Sequence, residues 1–295
     1  MPLPEELTVP VLRLRSFSMA NALEIRCPDG KTLVVDPCLI REGGPFASGY
    51  TAADLEGCDY VFLNHSHADH AASLGEVYDR FHPLILAHAS TAYDLAKQYD
   101  IPFVRFIPFS NGDEYDFGSF RLKVLPGRHN NLTPGNFYIR PSGRTDELCP
   151  PDPRRMFPAG EDREARLGDL GTLFGNNFLM TLPNNFRIGF FAGNAGFSDP
   201  QDRNLWSGLH PDLLLAHRAK FDAPRCAETM AEALAVTGAR LMAPLHIEDA
   251  YSGKYDPAEY IRGINAVCES RGIPGRAFFL ERGKWYQIFT GIARV

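Results

Sequence analysis

Several things are missing from this chain, and each absence excludes a class of protein. It has no basic excess: 30 Lys and Arg stand against 36 Asp and Glu, a formal charge of −6. The global positive field of a nucleic-acid binder is therefore absent, and no large nucleic acid is expected as a partner. No apolar run approaches the roughly 18 residues that a bilayer crossing needs. The opening Met1-Pro-Leu-Pro-Glu-Glu-Leu has neither the basic nor the apolar region of a secretory leader. The six cysteines (Cys27, Cys38, Cys58, Cys149, Cys226, Cys268) are scattered and form no CxxC pair. In a long chain that pattern reads as reduced, structural thiols. The expectation is a cytoplasmic protein without a membrane partner. Disorder is excluded too, because 44% of the residues are hydrophobic and 12% aromatic, enough to bury a core. No internal repeat of 20–50 residues is evident.

What is present alternates strand and helix signals. Leu23 to Cys27, then Asp29-Gly30, then Lys31 to Pro37 reads as a hairpin, since Asp-Gly between apolar runs is its strongest local signal. Tyr60 to Asn64 is a short buried strand, followed by a helix through Ala71 to Arg80 and a strand at Pro83 to His88. A helix over Thr91 to Tyr99 and strands at Phe103 to Ile107 and Phe120 to Leu125 come next. Strands at Phe178 to Leu182 and Arg187 to Ala192 flank a turn at Asn184-Asn185. The chain then continues as strand Leu213 to His217, helix Cys226 to Thr237, strand Arg240 to Ala243 and helix Pro257 to Ser270. The mixture predicts an α/β sandwich of two sheets flanked by helices rather than one parallel sheet. At 295 residues the length allows two units or one large one, and one domain over 1–295 is expected. An insertion interrupts it at about 141–168, rich in proline and in Arg144, Arg154, Arg155, Arg163 and Arg166, with little apolar periodicity.

Chemistry concentrates in one hexapeptide. His65-Ser-His67-Ala-Asp69-His70 follows a buried strand directly and holds three of the nine histidines. Imidazole nitrogen and carboxylate oxygen suit zinc, manganese or iron. Two further histidines have the same setting of apolar strand, turn, then histidine: His129 in Leu-Pro-Gly-Arg-His and His246 in Ala-Pro-Leu-His. All are read as metal ligands. His88 and His217 also end strands, but a satisfied buried or rim histidine is the plainer reading of each. Asp36 reads either as an outer hydrogen-bond partner of a ligating histidine or as a turn carboxylate before Pro37. The arginines of the insertion read as a grip for an anionic substrate or as a solvated loop.

With these motifs the chain resembles the metallo-β-lactamase superfamily over Leu23 to about Trp285. The resemblance implies an αββα four-layer sandwich of two mixed β-sheets flanked by helices, with a metal site at the edge between the sheets. It assigns His65, His67 and His129 to a first metal and Asp69, His70 and His246 to a second. Thr32 to Pro37 and Pro211-Asp-Leu-Leu-Leu look most like the ascorbate-6-phosphate-lactonase-like branch. One position departs from the family pattern. A Gly-Asp pair usually supplies a bridging carboxylate, and this chain reads Gly193-Asn194. A neutral amide oxygen cannot bridge two cations as a carboxylate does. Asn194 therefore leaves the count at one or two divalent ions, zinc foremost and manganese or iron as alternatives. Asp199, Glu248 and Asp249 are open as compensating carboxylates.

The function expected is metal-dependent hydrolysis. A dication lowers the pKa of its water so that hydroxide is available at neutral pH, and Asp69 serves as proton acceptor as well as ligand. The substrate is expected to be a small molecule, anionic if Asn194 leaves the site less negative, with an ester, lactone, amide or phosphodiester bond. Two alternatives stand beside it: an iron-dependent oxygen-using enzyme on the same fold, and a non-catalytic ligand-binding relative. His67, where the flavin-linked di-iron branch typically has Glu, weighs against that branch. Substrate identity and oligomeric state are not legible.

Overall fold

The computed structural model describes residues 6–17, 22–42, 47–66, 68–127, 175–192, 200–217, 223–247 and 256–293. Two seven-stranded sheets face each other. The first is built from β1 (Glu6–Ser16), β2 (Leu23–Arg26), β3 (Thr32–Val35), β4 (Tyr60–Phe62), β5 (Leu84–His88), β6 (Phe106–Phe109) and the distant β14 (Tyr286–Ala293), in the order β14-β1-β2-β3-β4-β5-β6. The second contains β7 (Glu114–Asp116), β8 (Arg121–Leu125), β9 (Asn177–Thr181), β10 (Arg187–Phe191), β11 (Leu213–His217), β12 (Leu241–Leu245) and β13 (Arg276–Ala277), ordered β13-β12-β11-β10-β9-β8-β7. Each sheet is mixed. In the first, β14, β1, β2 and β3 pair antiparallel while β3 to β6 run parallel. In the second, β10 to β13 run parallel and β7 to β10 antiparallel.

Strand alternation builds the layers. Leu33, Val35 and Phe62 point between the sheets, where they meet Phe178, Phe190, Leu213 and Leu215. Val34, Val61 and Leu63 point the other way and pack with Leu74, Val77 and Leu95, residues of helices α2 (Leu74–Phe81) and α3 (Ala92–Gln98). A short helix α1 (Ala68–Ala71) precedes them. Leu214 and Met242 on the second sheet pack outward with Trp206, Met230 and Ile264, from helices α4 (Pro200–Ser207), α5 (Ala223–Thr237) and α6 (Pro257–Ser270). The result is helix, sheet, sheet, helix, the αββα sandwich expected. Strands buried on both faces explain why their sequences read as continuous apolar runs rather than alternating ones. Among the described residues no helix is long and apolar enough to cross a membrane.

Two expectations shift. The run Phe103 to Ile107 is not one strand: Phe103–Arg105 forms a 3-10 turn after Pro102, and β6 starts at Phe106. The helix after the hexapeptide divides into α1 and α2, with Ser73 between them. The expected insertion, 141–168, lies outside the described residues, but its base does not. Leu125 of β8 pairs with Asn177 of β9, and the chain leaves and rejoins the sheet at one point. A Cβ on Gly127 would meet the Gly175 carbonyl oxygen at 1.7 Å. Only glycine permits that approach.

Candidate metal centre

The parallel halves of both sheets end at one edge, and the polar residues gather at the carboxyl ends of their strands, the usual place for a site in such sheets. Asp36 follows β3, Asn64 and His65 follow β4, His217 ends β11 and His246 follows β12. His65, His70, His217, Asp36 and Asn64 are all buried, and His246 is half-buried. The imidazoles form a cluster. Ring centroids of His65 and His70 are 3.9 Å apart, and His70 lies 6.2 Å from His217 and 6.4 Å from His246. His217 and His246 are separated by 5.4 Å, and the Phe190 ring meets His217 edge-on at 5.6 Å.

Hydrogen bonds fix two of these rings. His70 Nδ1 is 2.8 Å from Asp36 Oδ2, while Asp36 Oδ1 accepts from the Asn64 N–H at 2.7 Å. Because a carboxylate only accepts, His70 carries its proton on Nδ1 and turns the Nε2 lone pair toward the cluster. His65 Nδ1 is 2.5 Å from Asn64 Oδ1. The Asn64 side-chain amide in turn donates to the Asn176 carbonyl, so Oδ1 is the acceptor facing His65 and the same tautomer follows. Asn64 also ties the sheets together. Its carbonyl accepts from the Asn176 backbone N–H at 2.9 Å and side-chain Nδ2 at 2.7 Å. Next to Asn176, Asn177 Oδ1 accepts from the Ala192 N–H at 2.7 Å. Strands β4, β9 and β10 thus meet at the site through asparagines.

Two residues of the cluster have left-handed backbone. Asp36 has φ +47° and His246 φ +56°, left-handed conformations that non-glycine residues adopt at a cost of about 1–3 kcal/mol. At Asp36 the turn is held by its N–H on the Phe62 carbonyl and its carboxylate on Asn64 and His70. Asp36 therefore both hydrogen-bonds His70 and sits in the turn before Pro37.

Of the residues expected to bind metal, the structure brings together His65, His70 and His246. His67, His129, Asn194 and the side chain of Asp69 lie outside the described residues. Among the described residues no three His, Cys, Asp or Glu side chains close around a single point. The donor chemistry nevertheless fits a borderline dication: neutral imidazoles, two with their tautomer locked by an outer partner. His88 has a different role. Its Nδ1 engages Ser90 Oγ at 2.7 Å within a turn, its ring abuts Phe109, and burial pushes its pKa down. His217, read as a satisfied buried or rim histidine, is buried and stands within the cluster, and the sequence carries no signal for Asn176. Asn64 had one signal, its position between the buried strand and His65. A groove of about 380 Å³ lined by Arg13, Arg26, Cys27 and Gln287 lies at β1, β2 and β14 and touches none of these histidines.

Comparison with known proteins bears on the fold that carries this cluster. Residues 15–144 match the metallo-beta-lactamase superfamily model. A UPF0173 metal-dependent hydrolase of Staphylococcus haemolyticus is 29% identical over 107 residues, 35% of this chain and 42% of that protein. A counterpart from Staphylococcus epidermidis is 28% identical over 98 residues, 32% of this chain and 39% of its own. The chain thus spans about two fifths of the curated relatives it matches. Among solved structures, a metallo hydrolase from Ignicoccus hospitalis superposes with TM-score 0.59 at 14% identity, covering 96% of this chain and 99% of that one. An isothiocyanate hydrolase from Delia radicum gut bacteria gives 0.57 at 14%, covering 95% and 98%. The CmlA β-hydroxylase also gives 0.57, at 15%, covering 98% of this chain and 55% of that one. A hydrolase and a hydroxylase match equally well, so these superpositions speak to fold and not to reaction. Residues 15–144 are thus similar to the metallo-beta-lactamase superfamily model, and the described chain takes the αββα fold of these solved structures.

Proposed function

We propose that this protein is a metal-dependent hydrolase of a small, anionic substrate with an ester, lactone, amide or phosphodiester bond. The observation that carries the reading is the convergence of His65, His70, His217 and His246 at the carboxyl ends of the strands, with Asp36 and Asn64 locking two of the rings. Bound there, one or two divalent ions, zinc foremost, supply a water of lowered pKa and an electrophile for the substrate oxygen. The protein's own residues do the rest. Asp36 holds His70 in one tautomer and orientation. Asn64 does the same for His65 while fixing the spacing of the two sheets. Asp69, from the same hexapeptide, takes the proton released as the bond to the substrate forms. Neutral imidazoles around the cations, with Asn194 in place of a carboxylate, leave the site electropositive and favour an anionic substrate.

The test is elemental analysis of protein purified without chelator, followed by hydrolysis assays on lactone, thioester and phosphodiester panels with and without chelation. One or two equivalents of zinc or manganese, with hydrolysis abolished by chelation and restored by metal, is the expected result. Predominant iron with visible absorption would replace this reading with oxygen chemistry. Folded protein that refuses every metal would leave a ligand-binding relative.

A further inference from the structure

We propose that the groove where β14, β1 and β2 meet binds a small organic phosphate, held between the guanidinium groups of Arg13 and Arg26. It stands apart from the histidine cluster: Asp29 and Gly30, at the groove, form the turn that enters β3, whereas Asp36 follows the other end of that strand. Ladder register gives the first reason. Arg13 is paired directly with Arg26 on β2 and with Gln287 on β14, so the three side chains share one face of the sheet. Like charges directly opposite each other destabilise a sheet. The next pair on the same face, Arg15 with Glu24, shows the usual remedy of opposite charges. The acids nearby do not supply it for Arg13. Glu24 accepts from Arg15 at 2.8 Å. Glu56 lies 3.3 Å from Arg26, but also 3.8 Å from Arg15, and it accepts from the Trp285 indole N–H at 2.7 Å. Asp29 lines the groove, yet its oxygens accept from the Ser119 hydroxyl and the Lys31 N–H. Among the described residues Arg13 has no carboxylate partner, and its guanidinium lies 4.4 Å over the Trp285 ring.

The shape of the groove gives the second reason. It encloses about 380 Å³, inside the roughly 300–1,000 Å³ of small-molecule sites. Both arginines line it, and Pro10, Val11, Leu12 and Pro28 form an apolar wall. A Cβ on Gly30 would meet no atom within 4 Å, so the turn leaves space free. A phosphate presents oxygens to two guanidinium forks at once and offsets the opposed charges, while the apolar wall takes the organic part of the ligand.

The experiment titrates the full chain with phenylphosphonate, whose P–C bond resists hydrolysis, at constant ionic strength set with potassium chloride. Calorimetry and tryptophan fluorescence, to which Trp285 contributes, follow binding with and without chelator. Thermal melts check that each variant is folded. Wild type is expected to bind saturably with a change in fluorescence, unaffected by chelator. Arg13→Gln and Arg26→Gln should each weaken binding about tenfold or more. Arg26→Lys, which keeps the charge but not the fork, should fall between Arg26→Gln and wild type. Absence of saturable binding, or folded Arg13→Gln and Arg26→Gln variants that bind like wild type, overturns the assignment. Binding that chelator abolishes puts the anion at a metal instead and overturns it as well, while leaving the hydrolase reading intact.

Discussion

At Asp36 a single side chain performs two tasks, and a single substitution separates them. Asn at this position tolerates the left-handed backbone and still accepts the Asn64 N–H, but it no longer presents an anion to His70 Nδ1. Asp36→Asn is therefore expected to fold with near-normal stability and to bind metal about 10–100-fold more weakly, as competition with a chromophoric chelator will show. Asn64→Ala is the opposite case. It removes the amide between His65 and the Asn176 carbonyl, both buried, and should cost about 1–3 kcal/mol of folding free energy in urea titration. The hexapeptide was legible because three imidazoles in six residues have no other common use. Asn64 and Asn176 were not, because they are 112 positions apart and an isolated asparagine carries no sign of its partner. His217 was ambiguous for a similar reason: one strand-terminal histidine looks the same whether it faces a site or a core.

The pairing of β1 with β2 sets Arg15 opposite Glu24 and sinks both. Arg15 Nε donates to Glu24 Oε2 at 2.8 Å, and the guanidinium lies between the rings of Phe17 and Trp285, 4.5 and 4.4 Å from their centroids. The other Glu24 oxygen accepts from the Glu56 and Gly57 N–H groups. Burial pushes the Glu24 pKa up even with the arginine beside it. Arg15→Ala strands a buried carboxylate and should cost about 3–5 kcal/mol. Its pH dependence follows from linkage. Without the cation, the folded-state pKa stands further above the unfolded value of 4.5, so the native state binds more protons between the two and loses stability as pH rises through that window. The deficit against wild type should be largest at neutral pH and shrink as pH falls toward 4.5, measured by melts across that range. The hairpin β2–β3, helix α6 and the β9–β10 turn at Asn185 were all readable from local signals. β1 was not, because Pro10 interrupts it and two arginines sit on it; the register shift between Pro10 and Leu12 absorbs the proline, as bulges do.

Across the molecule the layers follow from alternation, which is why the sandwich was legible before its strand order was. The strand order depends on crossovers that no local window contains. The same burial that builds the layers silences the thiols. Cys27, Cys38, Cys58, Cys226 and Cys268 are buried, with Cys27 pushed up to about 12 and Cys58 and Cys268 also raised, chiefly by burial. These five should resist a disulfide-exchange reagent at pH 8 and react together once denaturant unfolds the protein, a count that spectrophotometry gives directly. The closure of the first sheet acts on a different clock. Its β1 strand takes β14 as a neighbour, from Leu14 opposite Tyr286 to Glu6 opposite Ala293, so a ribosome making some 10 residues per second finishes β1 roughly half a minute before its partner exists. During that interval β1 offers a bare backbone edge to any passing strand. The nascent chain is thus exposed to misassembly at β1 for as long as β14 has not been made.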